Sequence, residues 1–359
     1  MRLALISFSH HGRSIARIAR DLGHNIVGVA DAEPDPLSQL VKAFNCPGYH
    51  AAAVCLDACK PDIAIVCGKH IEIPAHIQTC VDRRIPYLVD KPFADCADRL
   101  RPVAEASVKH SVPSALTLPN RATRLVQTIE RMSEDGSLGN LVLCSSRLCN
   151  GPPERYDPSP SYWHNDPQIS GGGCWATEAA HGIDTFLQFS ESSPYQVVGS
   201  VISNALHRRE VEDSAVGILR TESGLTAIIE SGYTFPQGGW GGDHFFRFIG
   251  TKASVFEGYN EDHKHIITIH TSTGVTFEED IDHGDRMRNI IEAGLDAIGN
   301  GLTFDPDVTQ AVRILEVQDA VYAHARRNSP TNGPHPMGMP GSLFRRPSAP
   351  KKSAHKRSF

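Results

Sequence analysis

Residues 2–31 read RLALISFSHHGRSIARIARDLGHNIVGVAD, and the changes of period within this stretch decide the fold. RLALISF is a short apolar run. In SHHGRSIARIARDLG the residues Ile15, Ile18, Ala19 and Leu22 recur at helical spacing, and HNIVGVAD is a second apolar run that ends in an acid. The order is strand, helix, strand. Further along, DIAIVCG (62–68) is another apolar run, residues 74–84 read as a helix, and PYLVDKP (86–92) supplies the next strand. Strands alternating with helices of this length predict parallel βαβ units and a doubly wound sheet, an α/β fold.

The rest of the composition narrows the class. At 359 residues the chain is long enough for two domains, each with its own core. No apolar run approaches the roughly 18 residues of a membrane span, and LALI near Met1 is too short for a secretory signal. A cytoplasmic protein with no membrane partner is expected. Nine cysteines are scattered without a CxxC pair or a Cys/His cluster at zinc spacing, so they read as reduced thiols and no metal is expected. The formal charge of −6 argues against a nucleic-acid-binding body. From His335 onward there are no acids, and Arg345, Arg346, Lys351, Lys352, Lys356 and Arg357 stand among prolines and serines. Residues 334–359 are read as a disordered, solvated basic tail.

Doubly wound sheets bind ligands outside the carboxyl ends of their strands, so the first turn is the place to look for phosphate binding. It reads Ser7, Phe8, Ser9, His10, His11, Gly12. Of the pattern G-x-G-x-x-G only Gly12 remains, yet serine hydroxyls can bond a phosphate and the helix start offers free N–H groups. Ser7, Ser9, His10, His11 and Gly12 are the expected cofactor cradle. Asp31 ends the second strand where an acid meets an adenosine ribose, which favours NAD, while the adjoining Arg13 leaves NADP open. Asp90, Lys91 and Pro92 leave the sheet at the same edge. A lysine beside a nicotinamide ring can shuttle the hydroxyl proton of an alcohol as its hydride leaves, with Asp90 to hold it and Pro92 to pin the backbone.

GGGCWATEAAHGID (171–184) carries the other polar cluster. A helix from about Cys174 sets Thr177 and His181 on one face and turns Glu178 away, so Glu178 does not stand in for Thr177.

With VGVAD (27–31), VDKP (89–92), LPNRAT (118–123), the glycines with HGID, VEDSAVGILRTESGLTAIIESG (211–232) and FIGTKASVFEG (248–258), the chain resembles the Gfo/Idh/MocA oxidoreductase family up to about Gly333. The resemblance implies a dinucleotide-binding Rossmann domain (1–119) and a substrate-binding and oligomerisation α/β domain (120–333) with a large, open, mostly antiparallel sheet. The alternating runs between residues 141 and 277 agree with such a sheet, and two helices near 286–300 and 306–327 close the fold.

The resemblance also assigns roles. The family's lysine is Lys91, its histidine is His181, and its aspartate position is Thr177, which can bond a sugar hydroxyl but cannot take up a proton. Asp184 can orient His181. Asn120 and Arg121 fall near the cleft, where Arg121 can meet a carboxylate or hydroxyls, and His70 falls near the nicotinamide. Arg155, Tyr156, Trp163 and His164, on a proline-rich loop, suit a sugar face; the glycine-rich loop around Trp240 reads as a hairpin. The implied activity is NAD(P)-dependent hydride transfer at a secondary alcohol of a sugar, cyclitol or other polyol, by a homo-oligomer built through the C-terminal sheet. The alternative is a dinucleotide-binding sensor without turnover, motivated by Ser7, Ser9 and Thr177. Retention of Lys91 and His181 favours the enzyme.

Overall fold

The computed structural model describes residues 1–158, 161–190, 192–236, 242–262 and 264–328. The basic tail and the loop around Trp240 lie outside the described residues.

The first half alternates as its periods require: β1 (Arg2–Ile6), α1 (His10–Asp21), β2 (Asn25–Ala30), α2 (Pro34–Phe44), β3 (Gly48–Tyr49), α3 (Ala52–Cys59), β4 (Ile63–Val66), α4 (Ile73–Asp82), β5 (Tyr87–Asp90), α5 (Ala97–Lys109) and β6 (Ser114–Thr117). The strands form one parallel sheet in the order β3-β2-β1-β4-β5-β6. β4, β5 and β6 are buried at every position, which is why β4 and β5 read as unbroken apolar runs. The strand order reverses between β1 and β4, so the loops after these strands open a crevice at the carboxyl edge.

The second half is α6 (Arg124–Glu134), β7 (Leu141–Asn150), the single turn α7 (Pro167–Ser170), α8 (Cys174–Phe189), β8 (Tyr195–Ser203), β9 (Ser214–Thr221), β10 (Thr226–Gly232), β11 (Gly242–Gly250), β12 (Ala253–Tyr259), β13 (His265–Thr271), β14 (Gly274–Glu279), α9 (His283–Gly299) and α10 (Val308–Asn328). Its eight strands run β14-β13-β12-β11-β7-β10-β9-β8. Only β7 and β10 pair in parallel, so the fold is the expected α/β sheet followed by a large, mostly antiparallel one. The α9 helix returns to the first sheet, where Ile290, Ile291, Leu295 and Ile298 share a core with Leu3, Leu5 and Leu88.

The α8 helix lies between the layers, and every residue from Cys174 to Leu187 is buried. It approaches β7 so closely that a Cβ at Gly182 would stand 2.1 Å from the Ser146 hydroxyl. A helix buried on all sides is ordinarily apolar throughout. This one carries Thr177, Glu178, His181 and Asp184 inside, so each must find a partner.

All nine cysteines are free thiols. Among the described residues no helix is long and apolar enough to cross a membrane, and no three His, Cys, Asp or Glu side chains are arranged to hold a metal ion.

Ser7 takes φ of 66°, the left-handed conformation that the replaced glycine would adopt without penalty. A serine there costs about 1 kcal/mol. Ser7→Gly is expected to raise the free energy of unfolding by about that amount, read as a higher urea midpoint at unchanged slope.

Candidate active site

A cavity of about 640 Å³ lies between the carboxyl edge of the first sheet and the floor formed by α8 and the second sheet. The carboxyl edge of β1, β4, β5 and β6 and the segments that follow contribute Ser9, His10, His11, Gly68, His70, Asp90, Lys91, Pro92, Pro119 and Asn120 to its wall. The elements that diverge at the strand-order switch therefore bring their polar ends together.

Lys91 leaves the end of β5 and buries its ammonium against α8. Its Nζ donates to the Thr177 carbonyl at 2.8 Å and to Glu178 Oε2 at 3.4 Å, and both charged side chains are only 6% exposed. Burial opposes ionisation of Glu178, but the Lys91 ammonium outweighs it and holds the carboxyl down at about 2. Contrary to the expectation from i,i+4 spacing, Glu178, three residues before His181, is not turned away but faces the lysine. Thr177 lines the cavity, but its hydroxyl donates to the Gly173 carbonyl at 2.8 Å and accepts from Tyr233 at 3.1 Å. Its backbone carbonyl, rather than its side chain, meets Lys91.

Asp90 does not hold Lys91. It accepts from the Thr117 hydroxyl at 3.0 Å and lies 3.6 Å from His11 Nδ1. Pro92 follows through a cis peptide bond and lines the wall.

His181 is fixed by a relay. Asp184 can only accept, and Asn120 Nδ2 donates to it at 2.9 Å. Asn120 Oδ1 is thereby turned to His181 Nδ1 at 3.0 Å, so Nδ1 carries the hydrogen and Nε2 keeps its lone pair. Burial, with Lys91 nearby, pushes the imidazole well below its usual range, and it is neutral at pH 7. Arg121 and Asp184 themselves stay out of the cavity wall. Arg121 meets a carboxylate, but it is Asp184, through Nε and Nη2 at 2.7 Å each. The pair orients the site from behind.

On the opposite wall Trp163 stacks on His164 with ring centroids 3.7 Å apart, and His164 stacks on Tyr156 at 4.2 Å. Arg155 lies 5.5 Å over the Tyr156 ring. His70 meets Trp163 edge-on at 4.9 Å and donates from Nδ1 to the Ser170 carbonyl at 2.6 Å. These aromatics latch the loop and line the cavity at once.

Burial lowers His70 to about 4, against the pull of the Ser170 carbonyl. A histidine depressed in the folded state contributes stability that is complete above its unfolded value near 6.5 and is lost as pH falls to about 4. The loss is about 3 kcal/mol. His70→Gln is expected to flatten the melting temperature against pH between pH 7 and 4 by calorimetry; an unchanged slope would show that His70 is not buried neutral.

The residues at the first turn fit a dinucleotide. Ser9 caps α1, accepting from the Gly12 amide at 2.7 Å, and a Cβ at Gly12 would stand 2.1 Å from Cys67 Sγ. The helix start therefore keeps its close approach to the sheet. Asp31 accepts from the Phe8 amide at 2.9 Å and the Glu33 amide at 2.8 Å, which ties the end of β2 to the turn. Arg13 stacks 5.8 Å over the Phe8 ring.

Sequence spacing missed Glu178 and also His244, Glu257, Tyr259, His265, His283 and Arg286, which line the cavity from β11, β12, β13 and α9 or their flanks. For Glu178 a signal existed, because three apart is also a same-face spacing. For the others the cross-strand register was needed.

Residues 126–256 match the family model described as the GFO/IDH/MocA C-terminal domain. That stretch of the second half is thus similar to the domain of the family that the motifs resemble. The chain's fold is shared with a levoglucosan dehydrogenase solved with NADH and levoglucosan, at 15% identity and a TM-score of 0.79, covering 92% of this chain and 98% of that one. An oxidoreductase from Agrobacterium radiobacter, solved with NAD+, L-tartaric acid and magnesium, gives 14%, 0.77, 92% and 97%. The 3-ketoreductase KijD10 from Actinomadura kijaniata, a mutant solved with TDP-benzene and NADP, gives 14%, 0.75, 90% and 97%. No curated protein matches the sequence.

Proposed function

We propose that the protein is an NAD(P)-dependent oxidoreductase acting on a secondary alcohol, or the matching ketone, of a sugar, cyclitol or related polyol. The observation that carries this is the buried Lys91–Glu178 pair beside a neutral His181, at the mouth of a dinucleotide-type crevice. The levoglucosan bound in a protein of similar fold supports it.

Ser7, Ser9, His10, His11, Gly12 and Asp31 would hold the dinucleotide, with His70, Asp90, Lys91 and Pro92 around the nicotinamide. Bound there, the nicotinamide would supply or accept the hydride. Lys91 as the ammonium donates a proton from Nζ to the carbonyl oxygen in reduction, and as the free amine takes the hydroxyl proton in oxidation. Glu178 holds the ammonium in place. His181 Nε2 accepts from a neighbouring substrate hydroxyl and so aims the reacting one at Lys91. Tyr156, Trp163 and His164 give the ring an amphipathic wall. Asp31 favours a free ribose hydroxyl and hence NAD, with NADP the second choice. We place the division between the dinucleotide and substrate units near residue 119, read the open face of the second sheet as a homo-oligomer contact, and take the cytoplasm as the working compartment.

The test is a fluorescence titration with NAD(H) and NADP(H), then reduced-nicotinamide absorbance against sugars and cyclitols with Lys91→Met as the blank. Lys91-dependent reduction supports the enzyme. Binding without turnover across the panel supports the sensor, and binding of neither dinucleotide sinks both.

A further inference from the structure

The cavity is longer than its reacting end requires. Lys91, Glu178 and His181 occupy the side under α8, whereas the floor continues over four adjacent strands, β7, β11, β12 and β13. In register Leu148 on β7 faces His244 on β11, and Tyr259 on β12 faces His265 on β13. Four strands at the usual spacing span about 14 Å. One six-membered ring held by Lys91 and His181 leaves the far strands uncovered.

We propose that this far end is a second subsite, for a neutral sugar ring joined by a glycosidic bond to the ring that is oxidised. The substrate is then a disaccharide or glycoside rather than a free sugar, a sugar phosphate or a sugar acid. The proposal rests on the oxidoreductase reading.

The chemistry of the far end carries the choice. Tyr259 is 49% exposed and yet lines the cavity, and its ring lies 4.5 Å from that of His265. A flat ring with a polar tip, open to an incoming ligand, suits the C–H face of a pyranose. The cation of the far end is already engaged: Arg286 meets Glu257 at 2.8 Å, Asp280 at 2.9 Å and the Ile281 carbonyl at 2.6 Å. Two carboxylates around one guanidinium leave that corner negative. His265 and His283 add no charge at neutral pH, because burial, and then Arg286, lowers both, His283 to about 4. An anionic substituent is repelled there, while hydroxyl groups find donors and acceptors in neutral imidazoles and a carboxylate edge.

Calorimetry on the full chain tests this, with a panel of hexoses, the disaccharides built from them, and hexose 1-phosphates. The protein is saturated with reduced dinucleotide, which cannot oxidise an alcohol, and the series is repeated without dinucleotide. At least one disaccharide is expected to bind about tenfold or more tighter than every hexose and hexose phosphate in both series. Tyr259→Ala, at an exposed position that the fold tolerates, is expected to cut that advantage to within about twofold, with His283→Ala as an independent second probe. A hexose or hexose phosphate that binds as tightly as every disaccharide overturns the proposal, as does failure of all the disaccharides to bind. So does an advantage that survives both variants. The dinucleotide titration in the same instrument reports on the oxidoreductase reading separately, because the sugar ranking is read with and without it.

Discussion

Lys91→Met is expected to lower kcat/KM by about three orders of magnitude while leaving dinucleotide affinity within a few-fold, because the substitution removes the proton carrier and keeps the volume. It is also expected to cost stability. In the native protein Glu178 is ionised in a buried site only because the ammonium stands beside it. Without Lys91 a buried carboxylate is left uncompensated, a loss of about 3–5 kcal/mol. The pH dependence has a definite sign. In the native chain the carboxyl is depressed to about 2, so its contribution is complete above its unfolded value near 4.5 and is lost as pH falls toward 2. In the variant the Lys91 charge is gone and burial, the largest influence on Glu178, raises it, so the deficit shrinks as the solution is acidified and the group takes up a proton. Lys91→Met with Glu178→Gln is expected to recover most of the stability at pH 7 and none of the activity. Urea unfolding at pH 7 and pH 5, beside steady-state kinetics, separates the two roles. Loss of less than tenfold in kcat/KM would remove Lys91 from the chemistry, and an unaltered unfolding midpoint would mean the pair is not buried as described.

The parts that could be read from sequence were those set by local period. Buried parallel strands appear as short apolar runs, and in a doubly wound sheet all their carboxyl ends meet, so Lys91, His70 and the Ser7–Gly12 turn fall at one edge without further information. Relations that depend on long-range pairing were not legible. Arg121 and Asp184 are 63 positions apart, and nothing local says that the arginine's carboxylate lies within the protein. Glu178 was misread for a different reason. The face argument presumes a helix with a solvent side, whereas α8 is enclosed between two layers and both of its flanks meet protein. The far wall of the cavity needed the register of β11, β12 and β13, which alternation alone leaves open by one residue and hence by a whole face.

Asp184→Asn is the second large effect. The native carboxylate is fully buried and accepts four hydrogen bonds, two from Arg121 at 2.7 Å, one from Asn120 at 2.9 Å and one from Gln310 at 2.9 Å. These donors come from the loop after β6 and from α10, so a single side chain clamps two segments to α8. An asparagine has one accepting oxygen, and its amide would face donors on the other side. Arg121 would keep its charge, nearly enclosed, with only Asp305 at 3.3 Å to balance it. The expected cost is about 3–5 kcal/mol in the free energy of unfolding. A catalytic loss should accompany it, through Asn120. Freed from Asp184, the Asn120 amide can turn its NH2 toward His181, which then carries its hydrogen on Nε2 and no longer offers a lone pair to the neighbouring substrate hydroxyl. At a temperature well below the transition, kcat per folded molecule is expected to fall about tenfold or more, with a smaller change in KM. A purely structural role predicts full activity from whatever fraction remains folded, so kcat unchanged after correction for that fraction would end the relay argument, while an unshifted melting curve would end the clamp.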